Sequence, residues 1–311
     1  MKTRIANSVR EPRRRNMEIT IALPHTGKTA SPENVSRVAE EAERMGCATV
    51  WVLERLLRPT GGSMSDHYAT VYDPLETLAY VAAKTERVKL GTSIMDALFH
   101  VPATLARRFA TLDRLSGGRV IAGLGQGYAP EEFVAANVPM SRRGAGFEEF
   151  IRAMRAAWGA DPVSFSGRFY NIPESEINPK PLQEGGPPVV IAAMKAAAVE
   201  RAGRLGFGVN PLAPSWEALE TAVNCFRDAA RNAGHDPQGL PIIVRTNTAV
   251  GKEYAPEGEP PLSGSQGKVV EDLERMRELG VDEVFFDMNR YAVPVQEQCR
   301  ILDRLRGAVL R

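Results

Sequence analysis

Eight times between Met17 and the C-terminus, a short apolar run rich in β-branched residues is followed by a longer amphipathic run. That alternation is the pattern of strand-helix units around a parallel sheet. The strands fall near Glu18 to Leu23, Thr49 to Leu53, Val88 to Ile94, Arg119 to Gly123, Pro188 to Ala193, Phe207 to Asn210, Ile242 to Val250 and Glu283 to Asp287. The helices that follow are expected at Ser31 to Met45, Pro74 to Thr85, Pro102 to Leu115, Phe147 to Trp158, Lys195 to Leu205, Ser215 to Ala233, Ser265 to Leu279 and Val295 to Val309. Several carry start or stop signals, such as Ser31-Pro32-Glu33 at an N-terminus and Gly46 and Gly280 just past helix ends. Eight such units favour a closed (β/α)8 barrel with insertions at its C-terminal rim over an open doubly wound sheet. The open alternative needs a switch point and usually a dinucleotide fingerprint. Gly123-Leu124-Gly125-Gln126-Gly127 is GxGxG rather than GxGxxG and follows the fourth strand rather than the first, so it is weak as a nicotinamide motif.

The segment from Lys89 to Tyr128 points to where a ligand would sit. Both of its strands end in small residues and glycines, and backbone bare of side chains there lets a flat or phosphorylated ligand approach closely. Three connections are too long for plain linkers: Glu54 to Asp73, Asp161 to Pro187 and Gly251 to Gly264. The middle one holds a hairpin pattern at Val163 to Tyr170 and is expected to pack across the barrel rim. The Pro256 to Pro261 tract is expected to be mobile.

Charge and cysteine usage remove several classes. Lys+Arg 39 against Asp+Glu 38 gives a formal net charge of +1, which points to neither nucleic acid nor an anionic membrane. Arg4, Arg10, Arg13, Arg14 and Arg15 cluster at the start, and no apolar segment of signal-peptide or membrane-span length follows them. Residues 1 to 16 read as a disordered basic leader or as sequence upstream of a start at Met17, with one domain over 17 to 311. A basic arm that contacts a partner is the other reading. Cys47, Cys225 and Cys299 are far apart and lack metal-ligand spacing, as expected for reduced thiols in a cytoplasmic protein. His25, His67, His100 and His235 form no HExxH pattern and no pair at helical spacing, so neither a zinc site nor a Ser-His-Asp site is expected.

Leu90-Gly91-Thr92-Ser93, then Pro102 and Leu105-Ala106, then Ala110 through Arg119, then Gly123 through Gly127, resemble the signature of the bacterial-luciferase-like flavin and deazaflavin oxidoreductases. Order and spacing hold across this stretch. The likeness extends to Val50 through Glu54, Tyr72-Asp73-Pro74, Trp158, Phe169-Tyr170, Asn178 through Pro181 and Pro187 through Ala193, and these are most similar to the branch that uses coenzyme F420. The resemblance implies a (β/α)8 barrel whose tricyclic cofactor, F420 or alternatively FMN, lies at the C-terminal rim.

It also implies roles for particular residues. A bulge with a non-prolyl cis peptide would fall at Ser93-Ile94 and back the ring, with Thr92 beside it. Gly125, Gln126, Gly127 and Tyr128 would line the ribityl side. Ala192, Ala193, Met194 and Lys195 would wrap the cofactor phosphate at a helix start, where free N-H groups suit an anion. The family has two glycines where Met194 and Lys195 stand, so Lys195 either adds charge there or is solvated. Glu54 takes the position of an acidic residue near the ring, and Arg55 that of a histidine often used for proton transfer. Arginine is no base at ordinary pH, so Arg55 is expected to hold an anionic substrate, orient a carbonyl or pair with a rim carboxylate. Arg142 and Arg143 match a position often basic and close to the phosphate or its tail, or are simply a solvated helix start. His67, Tyr68 and Tyr72 in the second loop are further proton donors to consider. No metal is expected.

These features imply hydride transfer to or from a small organic substrate, with a lean toward reducing a C=C, C=N or C=O bond. The rivals are an FMN-dependent monooxygenase fed by a partner reductase, a non-catalytic flavin-binding protein, and a Schiff-base lyase using Lys89 or Lys195. The resemblance further implies a homodimer through the second and third helices.

Overall fold

Short apolar segments become strands here because both of their faces are buried. β1 (Glu18–Ala22) packs Ile19 and Ile21 outward against helices and turns Thr20 and Ala22 into the barrel. The computed structural model describes residues 17 to 309 apart from 63, 249 and 252 to 259. The basic leader and most of the Pro256 to Pro261 tract therefore lie outside the described residues.

After β1 come β2 (Thr49–Val52), β3 (Lys89–Thr92), the two-residue β4 (Met95–Asp96) and β5 (Val120–Gly125). An antiparallel hairpin, β6 (Val163–Ser166) and β7 (Asn171–Ser175), precedes β8 (Val189–Ala193), β9 (Gly208–Pro211), β10 (Ile243–Thr246) and β11 (Glu283–Phe286). The parallel order is β10-β11-β1-β2-β3-β5-β8-β9. Parallel bridges from Val209 to Ile242 and from Leu212 to Arg245 bring β9 back to β10 and close the ring. This is the (β/α)8 barrel that the alternation predicts. Its wall is covered by α1 (Pro32–Arg44), α2 (Pro74–Ala82), α3 (Pro102–Leu115), α5 (Ala145–Trp158), α6 (Ala196–Arg204), α7 (Trp216–Asn232), α8 (Gln266–Glu278) and α9 (Val295–Val309). The side chains of Ser31, Asp73, Ser215 and Ser265 cap α1, α2, α7 and α8.

The core has two parts. A large apolar layer lies between the barrel and its helices, and a small one of Ala22, Trp51, Val190, Ile243 and Phe285 fills the barrel itself. Trp51 and Phe285 stack there with centroids 5.0 Å apart. Gly91 makes room for them, since a Cβ on it would lie 2.4 Å from the Trp51 ring.

Three expectations are corrected. The third strand is interrupted after Thr92 and resumes as β4, with the cis peptide Ser93-Ile94 lying between the two parts. The fourth runs past Gly123 to Gly125, since β4 pairs with Leu124 and Gly125 beyond that break. The seventh stops at Thr246 rather than Val250, where Thr248 turns its hydroxyl to the Leu262 carbonyl. A short helix absent from the sequence reading, α4 (Pro130–Ala135), follows β5. The expected hairpin is present, pinned by Glu149 of α5, whose carboxylate accepts the backbone N-H groups of Arg168, Phe169 and Tyr170.

Candidate active site

Side chains at the C-terminal ends of β9, β10 and β11 converge on the Ser93-Ile94 bulge. Arg245 Nη1 donates to the Ser93 carbonyl at 2.8 Å, and Arg245 Nη2 pairs with Asp287 Oδ2 at 2.8 Å. The Ser93 hydroxyl donates to Asn210 Oδ1 at 2.6 Å, while Asn210 Nδ2 donates to the Ile243 carbonyl at 2.7 Å. Burial would raise the Asp287 pKa, but Arg245, His67 and His25 outweigh it and hold the carboxyl below its ordinary value. The cis bulge implied by the family resemblance is thus present and fixed from three strands.

The glycine-rich end of β5 lies beside it. A Cβ on Gly125 would meet Ile94 Cδ1 at 2.4 Å, so bare backbone at this position admits the bulge residue. Gly127 has a φ of +71° and lies against Phe99 and Phe133. Gln126 spends its side-chain carbonyl on the N-H of Gly144 at 2.8 Å, tying this loop to the start of α5. Thr92 does not face the rim. Its hydroxyl exchanges hydrogen bonds with Gly123, at 2.8 Å to the carbonyl and 2.9 Å from the N-H, and acts as a strand link. Ala193 is buried at the end of β8, Met194 is exposed, and Lys195 is the N-cap of α6 with no side-chain capping bond. In the first turn of α6 the N-H groups of Ala198 and Val199 already donate to the Lys195 carbonyl, which leaves those of Ala196 and Ala197 as the open pair at the helix start.

Glu54 and Arg55 fall in one network with three residues that the sequence reading missed. Glu54 Oε1 accepts from His100 Nε2 at 2.8 Å, and Oε2 accepts the Asp96 backbone N-H at 2.7 Å. Arg55 Nη2 pairs with Asp96 Oδ2 at 2.7 Å, and Nη1 lies 3.2 Å from Glu132 Oε2, close enough for an ion pair but not aligned as a hydrogen bond. Tyr128 and Tyr68 cover the guanidinium, with ring centroids 4.7 Å and 5.7 Å from Arg55 Cζ. Of the roles expected for Arg55, the structure shows the rim ion pair, with Asp96 and Glu132 as partners. Burial alone would lower the Arg55 pKa, but these two carboxylates keep it above its usual value. Burial pushes the Asp96 carboxyl up to about 7. Arg55 and the Gly127 N-H oppose that shift, and Glu54 and Glu132 reinforce it. His67 hydrogen-bonds Thr26 and is buried, away from this cluster's hydrogen bonds, and Tyr72 is partly exposed.

Two observations test whether the rim suits a phosphorylated, flat cofactor. The first is the glycine backbone of β5 over the bulge. The second lies just beyond Gln126, where the Nε atoms of Arg142 and Arg143 are buried with no hydrogen-bond partner among the described residues. Buried donors left unpaired are costly, and an anion would satisfy them. Arg201 and Arg204 of α6 approach the same corner and share Glu148. The residues fit such a group. The opposite mouth of the barrel also holds a cavity, about 610 Å³, between Glu18, Lys89, Arg119 and Asp282. Its buried carboxyl, Glu283, is already bonded to Thr20, Thr49 and Trp51, so the rim is the better candidate. Among the described residues no cluster of metal-ligand type occurs, and no helix is long and apolar enough to cross a membrane.

Signals for some of the missed residues existed. Pro130-Glu131-Glu132 is a helix-start pattern and could have placed Glu132 on α4. Nothing local in the sequence pairs His100 with Glu54 or Asp96 with Arg55.

A family model described as luciferase-like monooxygenase matches residues 17–255. An uncharacterized protein of Mycobacterium tuberculosis is 33% identical over 283 residues, 88% of this chain and 92% of that protein. The F420-dependent glucose-6-phosphate dehydrogenase of Amycolatopsis mediterranei is 35% identical over 183 residues, 57% of this chain and 52% of its own. Among solved structures, monooxygenase RslO1 from Streptomyces bottropensis matches with a TM-score of 0.75 at 26% identity, over 94% of this chain and 98% of its own.

Proposed function

This chain belongs to the luciferase-like monooxygenase family, and from that premise we propose that it transfers hydride between coenzyme F420 and a small organic substrate, reducing a C=C, C=N or C=O bond. The observation that carries the reading is the rim itself: bare backbone at Gly125 and Gly127 over the Ser93-Ile94 bulge, flanked by the unpartnered buried Nε atoms of Arg142 and Arg143. The choice of F420 is supported by relatives named as F420-dependent dehydrogenases, which this chain matches over about half their length.

When bound, the deazaflavin would supply the hydride donor or acceptor carbon. Arg142, Arg143 and the first turn of α6 would hold its phosphate, and Arg245, through the Ser93 carbonyl, would keep the bulge in place behind its ring. Arg55, paired with Asp96 and Glu132, cannot itself serve as the base of an alcohol oxidation.

The likeness to monooxygenase RslO1 favours a second reading, an FMN-dependent monooxygenase supplied by a partner reductase. Titrating the apoprotein with oxidised F420 and, separately, with FMN, followed by the fluorescence of Trp51, Trp158 and Trp216, separates the two. Tight and selective F420 binding is the expected result. Selective FMN binding would move the protein to the monooxygenase reading, and binding of neither would overturn both.

A further inference from the structure

We infer that His100, oriented by Glu54, is the proton donor of this site, the role left empty by Arg55. The inference rests on the hydride-transfer reading above. A hydride delivered to one atom of a polarised double bond must be matched by a proton on the other, and a positioned side chain near neutrality is the ordinary source. His100 stands beside the bulge, because Glu54, which it bonds, donates its own backbone N-H to the Ile94 carbonyl at 3.0 Å. It lies between β4 and α3, and Nε2 is 2.8 Å from Glu54 Oε1. A carboxylate only accepts, so the proton on that bond belongs to Nε2. That fixes the tautomer and leaves Nδ1, which makes no hydrogen bond among the described residues, as the nitrogen that gains and gives up a proton. The ring is neither sealed in the core nor free, with 17% of its side chain exposed.

Glu54 is itself held rigidly, because its other oxygen takes the backbone N-H of Asp96. The result is a carboxylate that orients an imidazole, the arrangement by which a third group positions an acid or base. The charged groups around the pair are Asp96 on β4, Arg55 after β2 and Glu132 on α4, with the Tyr68 and Tyr128 hydroxyls on the loops above. Arg55 is paired with Asp96 and Glu132, and the charged group in direct contact with His100 is Glu54. A bound reduced deazaflavin would supply the hydride to one atom of the substrate's double bond, whose π electrons would shift to the partner atom. That atom takes the proton from Nδ1, which solvent then replaces.

The test uses His100→Gln, which keeps an N-H toward Glu54 but cannot titrate. F420 affinity is measured first, then the single-turnover oxidation of bound reduced F420 by 2-cyclohexen-1-one, followed at 420 nm. The expected result is unchanged F420 affinity in His100→Gln with turnover lower by about 10²- to 10⁴-fold, partly restored by added imidazole. Independently of turnover, ¹⁵N NMR of the labelled histidines in the apoprotein should show His100 protonated at Nε2 when neutral, the tautomer set by its bond to Glu54. His100→Gln turning over at the wild-type rate would overturn the inference and leave the hydride reading standing. Wild-type protein that binds no F420 would instead remove the reading on which the inference rests. A neutral His100 that NMR shows protonated at Nδ1 instead would dissolve the pair in either case.

Discussion

Arg55 shows how far the chemistry of a side chain depends on neighbours that the sequence does not place beside it. Read from the chain alone it is an anion holder, a carbonyl orienter or half of an ion pair. In the fold it is enclosed by Asp96, Glu132, Tyr68 and Tyr128. Removing the cation while keeping the bulk, as in Arg55→Met, would leave two buried carboxylates facing each other. Breaking a buried pair from one side typically costs about 3–5 kcal/mol, so urea unfolding at neutral pH should show a loss of that order. The loss should shrink at acid pH, where Asp96 is protonated. A variant as stable as the wild type would mean that the network does not bear on folding. Asp96 allows a sharper test. Its carboxyl titrates near 3.9 in an unfolded chain but is pushed up to about 7 in the fold. The folded state therefore holds the proton more tightly, so this contribution to stability is full below the unfolded value and is lost as pH rises through about 7. Asp96→Asn removes the titration. The melting temperature of the variant minus that of the wild type should rise between about pH 5 and pH 8, and a difference that stays flat across that window would refute the assignment.

Strands and helices were readable because burial on one or both faces writes a period into the sequence, and all eight expected pairs appear close to where the pattern put them. What the period does not encode is where a strand breaks for a site. The break after Thr92 and the pairing of β4 with β5 depend on Gly125 accepting Ile94, a contact between separate elements. The same limit applied to the candidate site. Its glycines and Glu54 could be placed by motif, but His100, Asp96 and Arg245 reach it only through the closure of the barrel. The Gly125 contact gives an element-scale prediction. In Gly125→Ala the new Cβ would lie 2.4 Å from the far end of the Ile94 side chain, which can yield. Overpacking of this kind costs about 1–3 kcal/mol, and the displaced Ile94 would intrude on the ring's seat. Cofactor affinity should fall at least tenfold with only a modest loss of thermal stability. Unchanged affinity would place the ring elsewhere on the rim.

At the scale of the whole molecule, the closed barrel gathers the candidate site at one mouth and leaves the helical wall to other uses. The wall is not uniformly polar. On and beside α2 and α3, Tyr80, Val101 and Leu115 are 40%, 63% and 70% exposed. Val101 and Leu115 are spaced so that both fall on the outward stripe of α3 together with Arg108, which is anchored to Asp73 and Glu76 of α2. Apolar side chains on a stiff pair of helices suit a self-complementary two-fold contact, in which each copy offers the same patch to the other. We propose a homodimer through this face. A net charge of +1 puts little long-range repulsion in its way. Sedimentation equilibrium should give twice the 34.0 kDa chain mass. Leu115→Glu would place a charge within the proposed contact in both copies at once, so it should shift the protein to monomer while leaving each barrel folded by circular dichroism. A wild-type protein that sediments as a monomer at micromolar concentration, or a Leu115→Glu variant that stays dimeric, would move the contact away from these helices.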